Sequence, residues 1–463
     1  MTAENDFPLD TLYIKNTHLM YNGRPMYLFG QGYGHASSHR SQKFFDYIQE
    51  ADWHLKYKSN FASFYPNLTV WEDAEAEEDL FLPFMRRPDG KFDLTEFDEE
   101  YFRHLREVCQ YYKSRGVFVL LQIWKYSNFK HQEPGSAYGW TQNAYNPERN
   151  VNAFTECLRG KTAVLSFVKE ALKNPALLQN QKDLITRILM ATSDLGNIIY
   201  EIASEYRGVP YNYVETDWIG EILTHIRRYE ERSGHRIVLT NMPTTADEFG
   251  WEITARGLDL LDISCAPIAR APTSPEEVYE VVRDVLEAEK PVIAGCIGPS
   301  QGEEHNAEDY SALLRRIFWA IFFAGGSGAA IPIKKPRPAS VGAAYEEDDK
   351  CERYIHNLHI FIERLGDTSG LFPDDLVASE GWCALTEPGR LYVLYGQNGP
   401  EVELNLKRAR GEFQATWFDP VEGKFSEEEP IYIRRKARLK PPFPGDAALI
   451  LQKSEMPQEE NSS

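Results

Sequence analysis

The sequence predicts an α/β protein, a (β/α)8 barrel followed by a small all-β sandwich, on three observations. Along residues 1–365 short apolar runs alternate with amphipathic helical stretches, the pattern of a parallel sheet covered by helices. Eight such runs occur, the number a closed barrel of this kind requires. Past about residue 365 the helical period is lost, and short alternating strands appear with turn residues between them, as in a sandwich. The expected domains are 1–365, 366–453 and a polar, disordered tail over 454–463.

The opening segment, residues 11–30, alternates apolar and polar around Asn22-Gly23, a hairpin signal, and runs into Met26-Tyr27-Leu28-Phe29-Gly30 as the first barrel strand. That strand ends in Gln31-Gly32-Tyr33-Gly34-His35, which places Gln31 and His35 as expected substrate contacts at the mouth. His35 and His39 have the spacing of a helical metal pair, but no third ligand follows, so neither metal nor cofactor is expected. A helix over 42–58 leads to the second strand over 59–65, and the acidic run from Glu72 to Asp79 reads as a solvated face. Phe97, Tyr101, Leu105, Val108 and Tyr112 recur every three or four residues, so a helix spans 98–115 and stops at Gly116. The third strand, 117–124, is almost wholly apolar, as parallel sheets require of strands buried on both faces.

A long loop, 125–152, then carries Trp140 and Tyr145-Asn146-Pro147-Glu148-Arg149-Asn150-Val151-Asn152; with Trp124 at the strand end, Trp140 is a candidate stacking platform for a substrate ring. Helices over 161–173 and 181–193 precede the fourth strand, 197–205. Helix 215–233 precedes strand five, whose Asn241 is expected at the mouth. Strand six covers 258–265, helix 274–289 leads to strand seven over 290–296, and helix 307–324 leads to strand eight over 328–332. In the C-terminal part, strands are expected at 382–385, 390–395, 402–406, 413–418 and 447–451.

Composition narrows the function classes. The hydrophobic content of 42% and aromatic content of 13% describe a globular protein, and the formal charge of −20 would repel nucleic acid or an anionic membrane. No stretch approaches the ~18 apolar residues of a membrane span, and no basic segment followed by an apolar one opens the chain, so a cytoplasmic location is expected; an exported protein with its leader removed would read the same. The six cysteines show no CxxC and no repeated spacing, so reduced thiols are the default. The oligomeric state is not legible.

The stretch that organises the chemistry is Tyr200-Glu201-Ile202-Ala203-Ser204-Glu205. Strict strand alternation puts Glu201, Ala203 and Glu205 on one face, with Glu205 nearest the C-terminal mouth where barrel enzymes hold their chemistry. Glu201, a layer deeper, needs a hydrogen-bonding partner to stay charged. The stretch resembles the strand-four signature Trp-Glu-x-x-Asn-Glu of clan A retaining glycoside hydrolases. Residues 145–152 are similar to the Asn-Pro loop of apiosidase-like barrels of that clan, and Asn398-Gly399-Pro400 and Trp417-Phe418-Asp419-Pro420 to the C-terminal module accompanying them. The resemblance implies a carbohydrate substrate, with Glu205 as general acid/base and Ser204 where the family's Asn meets the sugar 2-hydroxyl.

Clan A enzymes also place a nucleophilic Glu after strand seven, about 5 Å from the acid/base across the scissile bond. Here that stretch reads Lys290-Pro291-Val292-Ile293-Ala294-Gly295-Cys296, with Cys in place of Glu. Three readings follow: Cys296 is the nucleophile, Glu303 or Glu304 supplies the carboxylate from the next loop, or the barrel binds carbohydrate without cleaving it.

Overall fold

The computed structural model describes residues 9–32, 46–68, 81–125, 128–129, 139–160, 163–204, 213–243, 246–264, 274–295, 307–332, 349–406 and 409–454. Its contacts divide the chain into two compact units, one of Met1–Thr273, Val285–Glu303 and Ser327–Asp348, the other of Ser274–Asp284, Glu304–Gly326 and Asp349–Ser463. Residues 274–284 and 304–326, which the sequence reading places within 1–365, thus group with the C-terminal strands.

The first unit holds the barrel sheet: β1 (Leu28–Gly32), β2 (Phe61–Phe64), β3 (Phe118–Lys125), β4 (Ile198–Ser204), β5 (Val238–Thr240), β6 (Leu261–Asp262), β7 (Val292–Ala294) and β8 (Gly328–Pro332). Each is parallel to its neighbours, and β8 pairs back onto β1. The ring closes between β5 and β6, where Asp259 N–H and Leu260 N–H donate to Leu239 O at 2.9 and 3.3 Å. This is the (β/α)8 barrel that the alternating pattern predicts.

The barrel axis is filled by Leu28, Phe61, Phe118, Leu120, Ile199, Val238, Leu260, Ile293 and Ala330. Leu12 and Leu19, from the antiparallel strands Leu12–Lys15 and His18–Tyr21, join that cluster where the barrel strands begin. The expected turn is there: Asn22 and Gly23 both have positive φ, 49° and 79°, between His18–Tyr21 and the short strand Arg24–Pro25. On the outer face, helix α1 (Tyr47–Lys56) is capped by Asp46, whose side chain accepts the N–H groups of Ile48 and Gln49. Helix α2 (Glu99–Ser114) starts at its N-cap Asp98 and buries Tyr101, Leu105, Val108 and Tyr112 as the periodicity requires. The polar residues that remain inside the sheet lie toward the strands' C-terminal ends.

Three local features escape the sequence reading. Residues Phe84–Arg86 and Phe92–Phe97 form an antiparallel pair. After α3 (Ala163–Ala171), helix α4 (Pro175–Thr192) begins six residues earlier than the expected 181, because Asn174 caps it and Pro175 suits a first turn whose N–H groups have no helical partner. After α5 (Tyr213–Ser233) comes an unexpected helix, α6 (Ala246–Thr254), near whose end Lys290 Nζ donates to Glu252 O and Ala255 O at 3.0 and 2.7 Å. Lys290 of the Lys-Pro-Val stretch therefore caps a helix C-terminus.

In the second unit, helices α7 (Pro275–Leu286), α8 (Ala307–Phe323) and α9 (Asp349–Leu365) precede β9 (Phe372–Pro373), β10 (Trp382–Glu387), β11 (Leu391–Gly396), β12 (Val402–Asn405), β13 (Gly411–Asp419), β14 (Lys424–Phe425), β15 (Glu429–Ile433), β16 (Lys436–Leu439) and β17 (Ala447–Lys453). One antiparallel sheet runs β9-β10-β11-β17-β13-β14 with β15 also on β13, and β12 pairs β16 separately. Val402 and Leu404 share one core with Ala384, Tyr392, Phe413 and Leu449, so the small sheet packs on the large one as a sandwich. On α8, Trp319 stacks on Tyr395 and packs at a tilt against Phe361, each with ring centroids 4.9 Å apart. Among the described residues no helix is long and apolar enough to cross a membrane.

Candidate active site

Barrel enzymes use the C-terminal ends of their strands, and here β3, β4, β6 and β7 end in a buried polar cluster. Gln122 of β3 lies opposite Glu201 of β4 in the parallel ladder, and its Nε2 donates to Glu201 Oε1 and to Ser204 Oγ, each at 2.9 Å. Lys125 Nζ donates to the same Ser204 Oγ at 3.1 Å. From β6, the Asp262 carboxyl hydrogen-bonds that of Glu201 and accepts Ser264 N–H and Oγ–H at 2.8 and 2.5 Å and Gly295 N–H at 3.2 Å. Glu201, Ser204 and Asp262 have no exposed surface.

This arrangement corrects the strict alternation expected of strand four. Ile202 and Ala203 both join the helix-side core, as do Ile123 and Trp124 of the neighbouring strand, whereas Ser204 shares Gln122 with Glu201. The cause is local: Ala203 N–H donates to the side-chain Oδ1 of Asn241 at 2.9 Å, while Ala203 O accepts Met242 N–H at 3.0 Å. Side chain replaces backbone in the ladder, and the pleat loses its phase. Ser204, rather than Ala203, is therefore on the polar side with Glu201.

Glu201, expected to need a partner in order to stay charged, has surroundings that favour its neutral form. Burial, then the adjacent negative charge of Asp262 and the hydrogen bond to it, push the Glu201 carboxyl well above its ordinary range and outweigh Lys125. Burial raises Asp262 as well, but the hydrogen bonds from Glu201, Ser264 and Gly295 oppose it.

Other expected site residues fare differently. Trp124 is fully buried, with ring centroids 5.1 Å from Phe167 and 6.0 Å from Tyr145, and Trp140 is 6% exposed and stacked on Phe129 at 6.4 Å. Both are packing residues rather than sugar platforms, because their faces are already covered. Asn241 is fully buried, and its Nδ2 donates to Glu252 Oε1 at 2.6 Å; with both ends of its amide engaged inside the protein, it braces the end of β4 instead of presenting to substrate. Ser204 likewise spends its hydroxyl on Gln122, Lys125 and Met242. Gln31 lies in β1 opposite Ile331. Glu205, Cys296, Glu303, Glu304, His35 and His39 lie outside the described residues.

The sequence reading missed Gln122, Lys125, Ser264 and the pairing of Glu201 with Asp262. A signal existed: Gln122 interrupts the apolar run 117–124, and Asp262 the run 258–263. A polar residue inside a strand buried on both faces needs a partner there.

No protein-family model matches the chain, and no curated protein matches it. Solved structures do. One described as a glycoside hydrolase is 14% identical with a TM-score of 0.65, covering 96% of this chain and 97% of its own. A glycoside hydrolase family 5 protein from Bacteroides vulgatus ATCC 8482 is 15% identical with a TM-score of 0.63, over 96% of this chain and 93% of its own. An endo-1,4-beta-mannanase from Rhizomucor miehei, 12% identical with a TM-score of 0.50, covers 69% of this chain and 90% of its own. At these identities the likeness is one of fold.

Proposed function

We propose that the protein is a glycosidase acting on an oligosaccharide or a plant or bacterial glycan, with Glu205 as general acid/base. The observation that carries the reading is the polar cluster under the strand ends: Ser204, held by Gln122 and Lys125, immediately precedes Glu205 in the chain. Fold likeness to proteins described as glycoside hydrolases, extending over 96% of the chain, supports the same class. The neighbours described as family 5 and mannanase speak for clan A broadly; the narrower likeness to apiosidase-like barrels rests on residues 145–152 and on the C-terminal motifs at 398–400 and 417–420.

In this mechanism Glu205 protonates the leaving oxygen and, where a covalent glycosyl intermediate forms on Cys296, then removes a proton from the water that cleaves it. The second group is Cys296, attacking as a thiolate, or Glu303, acting as the base of an inverting reaction. Substituting Glu205→Gln tests the reading: aryl glycosides with poor leaving groups should lose turnover while activated ones keep much of theirs, since activated groups need little protonation. Equal loss on both removes Glu205 from the acid/base role. If the wild-type chain binds glycans yet turns over no glycoside, the barrel is a carbohydrate-binding protein, a reading favoured by Cys296 standing where clan A carries its nucleophile.

A further inference from the structure

Toward the C-terminal ends of β4 and β6 lies a carboxyl pair that the proposed reaction itself does not use. Glu201 and Asp262 are both fully buried and hydrogen-bonded to each other. Two carboxylates in contact repel strongly in a low-dielectric interior, and one proton between them turns that repulsion into a hydrogen bond. The distribution of donors says which one holds it. Asp262 Oδ1 accepts the N–H and O–H of Ser264 and the N–H of Gly295, the reception an anion requires. Among the described residues Glu201 accepts Gln122 Nε2 on Oε1 and a hydrogen bond from Ser204, but its buried Oε2 receives no donor. A bare carboxylate oxygen there would be costly, whereas a protonated Oε2 donates to Asp262.

We infer that Glu201 and Asp262 hold a single proton between them in the folded barrel, and that this pair is the positioning device joining the strand ends that lead to Glu205 and Cys296. Glu201 reaches Ser204 through Gln122, and Ser204 precedes Glu205; Asp262 holds Gly295 N–H, and Gly295 precedes Cys296. Glycine is needed at 295, because a Cβ there would overlap Asp262 Oδ2 and Leu120 Cδ2. Among the described residues, β3 brings the cation Lys125 and the neutral Gln122 to this cluster, β5 brings Thr240 opposite Glu201, β6 brings Ser264 beyond Asp262, and β7 ends in Gly295. The joining of Glu205 to Cys296 rests on the proposed glycosidase reading; the shared proton does not.

The consequence is an alkaline limit. In the unfolded chain Glu201 ionises near pH 4.3, whereas the folded pair retains its proton well above that, so the folded state binds one more proton over the interval. Stability from the pair is complete below about pH 4 and is lost as pH rises toward the folded value. Urea unfolding of the full chain should be measured from pH 5 to pH 8 for the wild type and Glu201→Gln, which keeps the shape and an N–H donor toward Asp262 but cannot titrate. The unfolding constant of the wild type relative to the variant should rise with pH, at most about tenfold per pH unit, until the folded pair ionises. A ratio independent of pH overturns the shared proton. Hydrogen exchange tests the positioning half: Gly295 and Ser264 N–H should exchange faster in Glu201→Ala, or in Glu201→Asp should the first not fold, and be restored in Glu201→Gln. Unchanged exchange overturns it. Neither readout needs substrate, so failure of the glycosidase reading, seen as no glycoside turned over by the wild type, is a separate result.

Discussion

Asn241 Oδ1 accepts the backbone N–H of Ala203 at 2.9 Å, so a side chain from the end of β5 takes the place of a strand carbonyl at the end of β4. Two residues further on stands Glu205. One amide therefore braces the end of the strand that leads in the chain to the proposed acid/base. Asn241→Ala leaves the buried Ala203 N–H without its acceptor and Glu252 Oε1 without this donor. A loss of about 1–3 kcal/mol in urea unfolding is expected, together with a fall in kcat larger than any rise in KM. A raised KM with wild-type stability would instead make Asn241 a substrate contact.

Trp124→Ala should lower stability by about 3–5 kcal/mol, because it empties the space among Phe129, Tyr145 and Phe167. KM of the folded fraction should stay as it was. Thermal unfolding and saturation kinetics on the same preparation distinguish this from a role in sugar stacking.

The second catalytic group divides cleanly between two substitutions. If Cys296 is the nucleophile, Cys296→Ser abolishes turnover and substrate protects the wild type from a thiol-directed alkylating agent. With Glu303 as base, Cys296→Ser is nearly silent, Glu303→Gln abolishes hydrolysis, and the released sugar has the inverted anomeric configuration. Proton NMR of the first-formed anomer reads the difference.

Cutting the chain at residue 365 should give an aggregating product. Within the second compact unit, Trp319 packs on Tyr395 and Phe418, and Arg315 and Arg316 pair with Asp446, so the fragment keeps α8 and loses all of these partners. Light scattering at moderate concentration tests this; a soluble, fully active 1–365 fragment would make the C-terminal strands dispensable.

The second unit should also have a definable acid limit. Burial alone would raise Asp446, but hydrogen bonds from Arg316, Asn398 N–H and Arg315 overcome it and hold the carboxyl at about 2. With an unfolded value of about 3.9, the group contributes roughly 2–3 kcal/mol in full above pH ~5, lost as pH falls through the folded value. Asp446→Asn should flatten the acid limb of the stability curve between about pH 4 and pH 2. An unchanged limb would show that the pairing is not felt.

What the sequence determined by itself is what local chemistry determines. Asn22-Gly23 makes its turn because both residues tolerate positive φ; Asp98 and Gly116 bound their helix; the apolar run around 117–124 is a strand buried on both faces in any barrel. Alternation of such signals carries the barrel and the sandwich. Short elements whose stability comes from packing, such as α6 and the pair Phe84–Arg86 with Phe92–Phe97, leave weaker traces and were not legible. Of the site, the strand-four stretch could be read, but its facing could not. A pleat follows its own period until a neighbour intervenes, and Asn241, on another strand, shifts Ser204 onto the side of Glu201. Likewise nothing near Glu201 in the chain says that it meets Asp262; closure of the ring brings the two together, and only in that dry interior does one proton become cheaper to keep than to lose.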